Sequence, residues 1–516
     1  MVAGAVGTFT VGAAQRLPLA PVLPGHIGTL HHPIRTSRAE VQRLFDQGLT
    51  LYYGFNRDPS RQSFERAAAL DPAAAMPLVG IALALGPNIN VDPTSDEIRA
   101  ACASARKAAA VASVATERAY AEALSVRYCG KSGVPDAAAY VGALESLQRQ
   151  LTGDVDAKVL YAESLLLLRL RSPTQQETLI TVLESVLRTH PTHVGANHYY
   201  IHAVEGSSTP ERALKAAKRL ETLVPASGHL LHMPSHIYTR TGAYDASIAS
   251  NISATAADLA YLRHNPPSAD AAMSYMHDLE SLAVAAGFAG RLAQATQAAR
   301  EINRVEAGMA GQSAERLFTP ALAFVLLRFG AWDEVLQLPD SDARELPSVM
   351  MSHFARAVAS AKVGKTAQAD DERRAFQQAA RGLPKDELYR GNSTGDAIAL
   401  FAAVLDARFA ADTVEAIAAW RRAVAIQDRF AYHEPPPFYY PVRESLGAAL
   451  IDAARHAEAE RTFREDLSRN KRNGRSLFGL WQALAAQKRE REAERAHQDF
   501  LRAWSSSDVT VTLAQF

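Results

Sequence analysis

Cysteine is almost missing from this chain: Cys102 and Cys129 are the only two in 516 residues. That scarcity argues against a disulfide scaffold and against a zinc site built on cysteine. Net charge is missing too. Lys+Arg and Asp+Glu both number 55 and no basic stripe is visible, so no nucleic-acid partner is expected. No apolar run reaches the roughly 20 residues of a membrane-spanning helix. The expectation is a soluble, cytoplasmic protein with no membrane association. Residues 1–25 contain Pro18, Pro21 and Pro24 but no basic start, the first charge being Arg16. They read as an arm and not as a secretory signal. There is no Walker loop, no dinucleotide-binding glycine fingerprint and no G-x-S-x-G, so NTP, NAD and serine-hydrolase chemistry have no support. No Val/Ile alternation calls for a sheet.

What remains is alanine and helical periodicity. Nearly half of the chain is hydrophobic, much of it alanine, which favours helices and lets them approach closely. Val41, Leu44, Phe45, Leu49 and Tyr52 share one helical face. The stretch 59–70 is a second helix ending at Asp71-Pro72. Further helices are expected at 95–110, 115–128, 136–152, 156–170 and 174–189, then in pairs to residue 504. The division expected is an arm (1–35), N-terminal helical repeats (36–155), central repeats (156–310) and C-terminal repeats with charged capping helices (311–516).

Histidine is concentrated. Nine of the 16 lie from His190 to His277. His198 and His202 are four residues apart, as are His232 and His236, and the second pair follows the first by 34 residues. Pro191 and Pro225 repeat the same interval. Thirty-four is the period of the tetratricopeptide repeat (TPR), a helix–turn–helix unit that stacks into a solenoid. The fold class expected is all-α, a TPR-like superhelix of helix pairs, with the two histidine pairs on first helices of neighbouring repeats. Positions three and four apart share a helical face. His198, His202 and Glu205 therefore line up, as do His229, His232 and His236, and a third helix offers His277 and Glu280. Pro234 should kink its helix.

These eight residues are the candidate metal ligands, sufficient for one ion or for two ions sharing a groove. Imidazole suits zinc, copper, iron and nickel. Carboxylates in the set favour iron or manganese, and six imidazoles lean toward copper. With Glu205 and Glu280 counted as ligands, iron is the preferred divalent metal, with copper, manganese and zinc as alternatives. The residue after the first histidine of each pair is Tyr199 or Met233, not the glutamate of zinc proteases. Tyr199, Tyr200 and Tyr275 are candidate outer donors. His26, His31, His32, His353, His433, His456 and His497 read as ordinary core or surface residues.

The runs NHYYIHAVE and GHLLHMPSHIYTRTGAYDAS resemble a family of bacterial TPR proteins with paired HxxxH motifs. GFNRDPSRQSFERAAALDP, ALGPNIN, PPPFYYPVRESLGAAL and NGRSLFGLWQAL carry the resemblance over most of residues 30–485. It implies the fold and lends little about function. The family pattern has histidine where Arg57 and Glu280 stand here. Asn88, Asn90, Tyr439, Tyr440 and Arg443 lie in these family-like segments and, with Tyr199 and Tyr275, are candidates to face a small-molecule substrate. The expected activity is O2-dependent oxidation of that small molecule at a non-haem metal centre. Metal-assisted hydrolysis and a non-enzymatic peptide-binding scaffold are the alternatives. A homodimer is compatible with either.

Overall fold

Phe64 fills a slot between Gly48 and Gly80, and Phe463 fills the same kind of slot between Gly447 and Gly479. In both places one glycine lies 16 residues before the ring and the other 16 after it. The glycines sit on the first helices of successive repeats (Ala39–Tyr53 and Ala75–Ala84; Val442–Asp452 and Gly474–Ala486). The phenylalanines sit on the second helices between them (Arg57–Leu70 and His456–Arg469). A Cβ at any of the four glycines would overlap the ring, so only glycine lets three helices close around one aromatic side chain.

This computed structural model describes residues 23, 25–168, 170–265, 269–308, 321–341 and 346–516. The chain is an all-α, TPR-like solenoid of helix pairs. The only strands among the described residues are the two-residue pair Leu388–Tyr389 and Asn392–Ser393. The helices expected at 95–110, 115–128, 136–152 and 156–170 run Ser95–Val111, Ala115–Tyr128, Ala137–Gln150 and Val155–Leu166. Side-chain caps fix several starts: Thr94 with Glu97 forms a capping box, and Asp136 and Asp154 accept from the third residue of their helices. Most of the 1–25 arm, Pro266 and Pro267, and the first part of the helix expected at 313–329 lie outside the described residues.

The helices pack into two compact units, Ile27–Val186 and, mainly, Leu187–Phe516. The sequence division at 155/156 falls at the start of a helix inside the first unit. In the second unit a continuous apolar core runs from Tyr244 to Phe516. No helix among the described residues is long and apolar enough to cross a membrane.

The two cysteines are too few for a scaffold, but Cys102 and Cys129 are joined in a disulfide. It ties helix Ser95–Val111 to the end of helix Ala115–Tyr128 within the first unit. Such bonds persist in oxidising surroundings, so the cysteine count gives a cytoplasmic assignment no support.

Candidate metal centre

Three helices of the second unit carry the histidines. The first, Val194–Val204, is capped by His193, whose Nδ1 accepts from the Ala196 amide at 3.2 Å. That interaction spends His193 on the helix start. The second is split into Gly228–His232 and Pro234–Thr241. Pro234 has no N–H and interrupts the hydrogen-bond ladder. Met233 nevertheless keeps right-handed helical angles (φ −50°, ψ −36°), so His232 and His236 stay on one face across the break. The third helix is Ala269–Phe288.

The imidazoles meet in two groups of three. His198 Nε2 lies 3.0 Å from His202 Nε2 and 3.1 Å from His229 Nε2. His232 Nε2 lies 2.8 Å from His236 Nε2 and 3.2 Å from His277 Nε2. Nitrogens about 3 Å apart are what ligands roughly 2.0–2.1 Å from a common ion present. The groups are adjacent: ring centroids are 5.7 Å apart for His202 and His236 and 6.0 Å for His229 and His232.

Glu205 belongs to neither triad but forms a third group able to hold an ion, with His202 and His236. It caps the first helix and divides its carboxylate between them: Oε1 lies 2.9 Å from His202 Nδ1, and Oε2 takes the hydrogen of His236 Nδ1. Asn251, from the second helix of the repeat (Tyr244–His264), places Oδ1 2.7 Å from His232 Nδ1. Carboxylate and amide oxygens only accept, so these contacts put the ring hydrogens of His202, His232 and His236 on Nδ1. Their Nε2 lone pairs then point inward, the tautomer a metal needs. Burial and the neighbouring imidazoles hold His229 and His232 well below the usual histidine range and His277 at about 3. Burial acts against charge on Glu205 as well, yet the charges and hydrogen bonds of His202 and His236 hold it below the usual carboxylate range. The same pairing raises His236 against its burial.

Behind His232 lies a buried acid pair. Asp278 Oδ1 is 3.3 Å from His232 Nδ1. Burial pushes Asp258 up to about 7, and Asp278 is driven well up by burial and by Asp258. Each of the two carboxyls disfavours charge on the other.

Glu280 is elsewhere engaged. It pairs with Arg390 at 2.7 Å and accepts from the Tyr439 hydroxyl. The third helix therefore presents His277 and Asp278 to the centre, and Glu280 stands outside both triads. Glu280 is thus one half of a buried ion pair. Arg57 pairs with Glu97 at 3.0 Å. Tyr199 packs its ring 5.3 Å from that of His198. Tyr275 donates to Glu301, Arg443 makes two 2.6 Å bonds to Asp428, and the Tyr440 carbonyl accepts from Gln427. Asn88 Oδ1 accepts from the amides of Asn90 and Val91, which makes that stretch a turn.

Sequence reasoning missed Asn251, Asp258 and Asp278, because they reach the site from behind and follow no shared spacing. It also missed a cluster in the first unit. His32 Nδ1 lies 2.8 Å from Asp156 and 4.0 Å from Asp154. Tyr53 and Tyr120 donate to the same two carboxylates.

No family model matches the chain, and no curated protein matches it. Among solved structures the chain is similar to one in the crystal structure of the APC/C hetero-tetramer Cut9-Hcn1, at 11% identity, covering 93% of this chain and 95% of that one with a TM-score of 0.27. It is also similar to a chain in the structure of Naa15/Naa10 bound to HypK-THB, at 14% identity, covering 92% and 69% with a TM-score of 0.20.

Proposed function

We propose that the second unit holds two metal ions side by side, each on three imidazoles, and that the pair activates O2 to oxidise a small molecule. The observation that carries this is the convergence of Nε2 atoms in two sets, His198/His202/His229 and His232/His236/His277. Two facing lone pairs repel each other unless a cation stands between them. Six buried imidazoles without one would be costly.

The donor chemistry moves the preferred metal from iron to copper. Iron and manganese favour carboxylate oxygen; Glu280 is paired with Arg390, while Glu205 remains within reach of an ion together with His202 and His236. Six neutral nitrogens suit copper best. Adjacent redox ions supply two electrons together, which is what reduction of O2 to peroxide requires. The residues of the chain hold the ions, fix each ring and keep the surroundings dry. A solenoid that binds a peptide without any metal is the second reading, favoured by the repeat architecture, whose stacked helices present extended binding surfaces.

Elemental analysis of untagged protein, before and after copper addition, tests the proposal. Two coppers per chain, a visible spectrum that changes with O2, and O2 uptake with ascorbate are expected. Zinc at both positions with no O2 uptake would instead favour hydrolysis by metal-bound water. No uptake of any metal would leave only the peptide-binding scaffold.

A further inference from the structure

Three arginines of the second unit meet at one small cavity. Arg328 sits in the last turn of helix Ala321–Phe329, Arg408 ends helix Thr394–Arg408, and Arg475 is in the first turn of helix Gly474–Ala486. All three line the cavity, with Tyr440 and Ser445 beside them. Its volume of about 10 Å3 is room for one occupant the size of a water molecule. Arg328 and Arg475 are 4% and 5% exposed, so their charges are held inside the fold.

Those charges do not balance. Arg328 and Arg475 share a single carboxylate: Glu444 lies 3.3 Å from Arg328 Nη2 and accepts from Arg475 Nε at 2.6 Å. The other two nitrogens of Arg475 donate to the Arg328 and Gln515 carbonyls. Arg408 has no carboxylate at all. Its Nη2 reaches Ser445 Oγ at 3.4 Å, its guanidinium lies over the Trp420 ring at 4.9 Å, and its buried Nε has no hydrogen-bond partner. Burial holds Arg408 below its usual range, and among the described residues Tyr440 alone acts the other way.

The charges further out leave the sign unchanged. Asp466 is bonded by Asn470, Asn473 and Ser476. Lys362 adds a cation: burial, then Arg408, brings its ammonium down to about 8, with Asp452 opposing. Two helices end at the cavity and one begins there, which sums to about half a negative charge. Three guanidiniums against Glu444, Asp466 and that half-charge remain positive.

We propose that this cavity binds one small monovalent anion of halide size, held by Arg408 with Arg475, Arg328 and Tyr440 around it. The volume excludes phosphate and organic acids, and the modest positive excess suits a single negative charge. Buried cations without a partner are costly. An anion here supplies the partner that Arg408 lacks and links the ends of the three helices, so halide stabilises the second unit. Nothing in this depends on the histidine centre.

The test melts full-length protein by calorimetry in sodium chloride and in sodium gluconate at equal ionic strength, gluconate being too large for the cavity. Chloride is expected to raise the transition of the second unit by about 2 °C or more. Arg408→Met keeps an unbranched chain against Trp420 without the charge and should lose that difference; Tyr440→Phe should reduce it. Crystals grown in sodium bromide should show an anomalous peak among the three arginines. Equal melting in the two salts would overturn the proposal, as would a chloride gain that survives in Arg408→Met. So would a cavity without bromide that holds a water or the Phe516 carboxylate. A bromide peak without any chloride gain means an adventitious ion only, and also overturns it. If Arg408→Met does not fold, the wild-type comparison and the bromide map decide the matter.

Discussion

His232 and His236 face each other through Nε2 atoms 2.8 Å apart, while the Nδ1 of each is committed to an oxygen that can only accept. A bound metal ion, or an added ring proton shared as an N–H···N bond, relieves that arrangement. Binding to the folded state alone raises stability by about 2.7 kcal/mol at a free concentration 100 times Kd. Metal addition is therefore expected to raise the melting temperature, and His236→Ala should remove both the bound metal and the shift. Unchanged metal content in His236→Ala would show that the ion, if any, sits elsewhere.

Glu205 serves one ring of each triad. A glutamine at this position has only one oxygen, so one of the two histidines loses its acceptor. Loss of such an outer partner typically weakens metal binding by about 10–100-fold. Glu205→Gln is expected to lower affinity at both positions, read by competition with a copper chelator. An effect confined to one ion would mean that the triads act independently.

In the first unit, His32 is raised above its ordinary value. Burial opposes its charge, but the hydrogen bond and charge of Asp156, with Asp154 and Asp46, outweigh it. A raised folded value means the pairing contributes fully below the unfolded value of 6.5 and is lost as pH climbs through the folded one. His32→Gln should therefore lower the melting temperature clearly at pH 5.5 and less at pH 9. Equal losses at both would show that only the packing of the ring matters.

Asp258 has the opposite consequence. Its folded value of about 7 stands above the unfolded 3.8, so the fold disfavours the ionised form. Stability is expected to fall as pH rises between those values and to level off above them. Asp258→Asn should flatten that part of the profile and melt higher than wild type at pH 8, with a gain on the order of a few kcal/mol at most. Metal-free protein is the sample for this measurement, because metal binding is itself pH-dependent.

The solenoid was legible because it repeats. The interval linking His198 to His232, and Pro191 to Pro225, located both ligand helices, and helical periodicity located most of the others. Six of the eight proposed ligands meet as imidazoles for the same reason: spacing of three and four residues sets which side chains share a face. The same rule cannot say which atom of a side chain faces the centre. Glu205 keeps its place on the helix yet turns its carboxylate to the outer nitrogens, and Glu280 is drawn away by Arg390. Arg390 and Asn251 enter from other helices and loops, and no local pattern announces them. Nor did the cysteine count reveal that Cys102 and Cys129 lie close enough to bond.

That disulfide has a use at the bench. It closes a 27-residue separation, for which loop entropy alone predicts about 3–4 kcal/mol of stabilisation, and every cysteine of the chain is spent in it. Reductant thus acts on Ile27–Val186 and finds no sulfur–sulfur bond to attack in the histidine-bearing half. A calorimetric scan with and without dithiothreitol should move one transition and leave the other in place, labelling each melting event with the part of the molecule it belongs to.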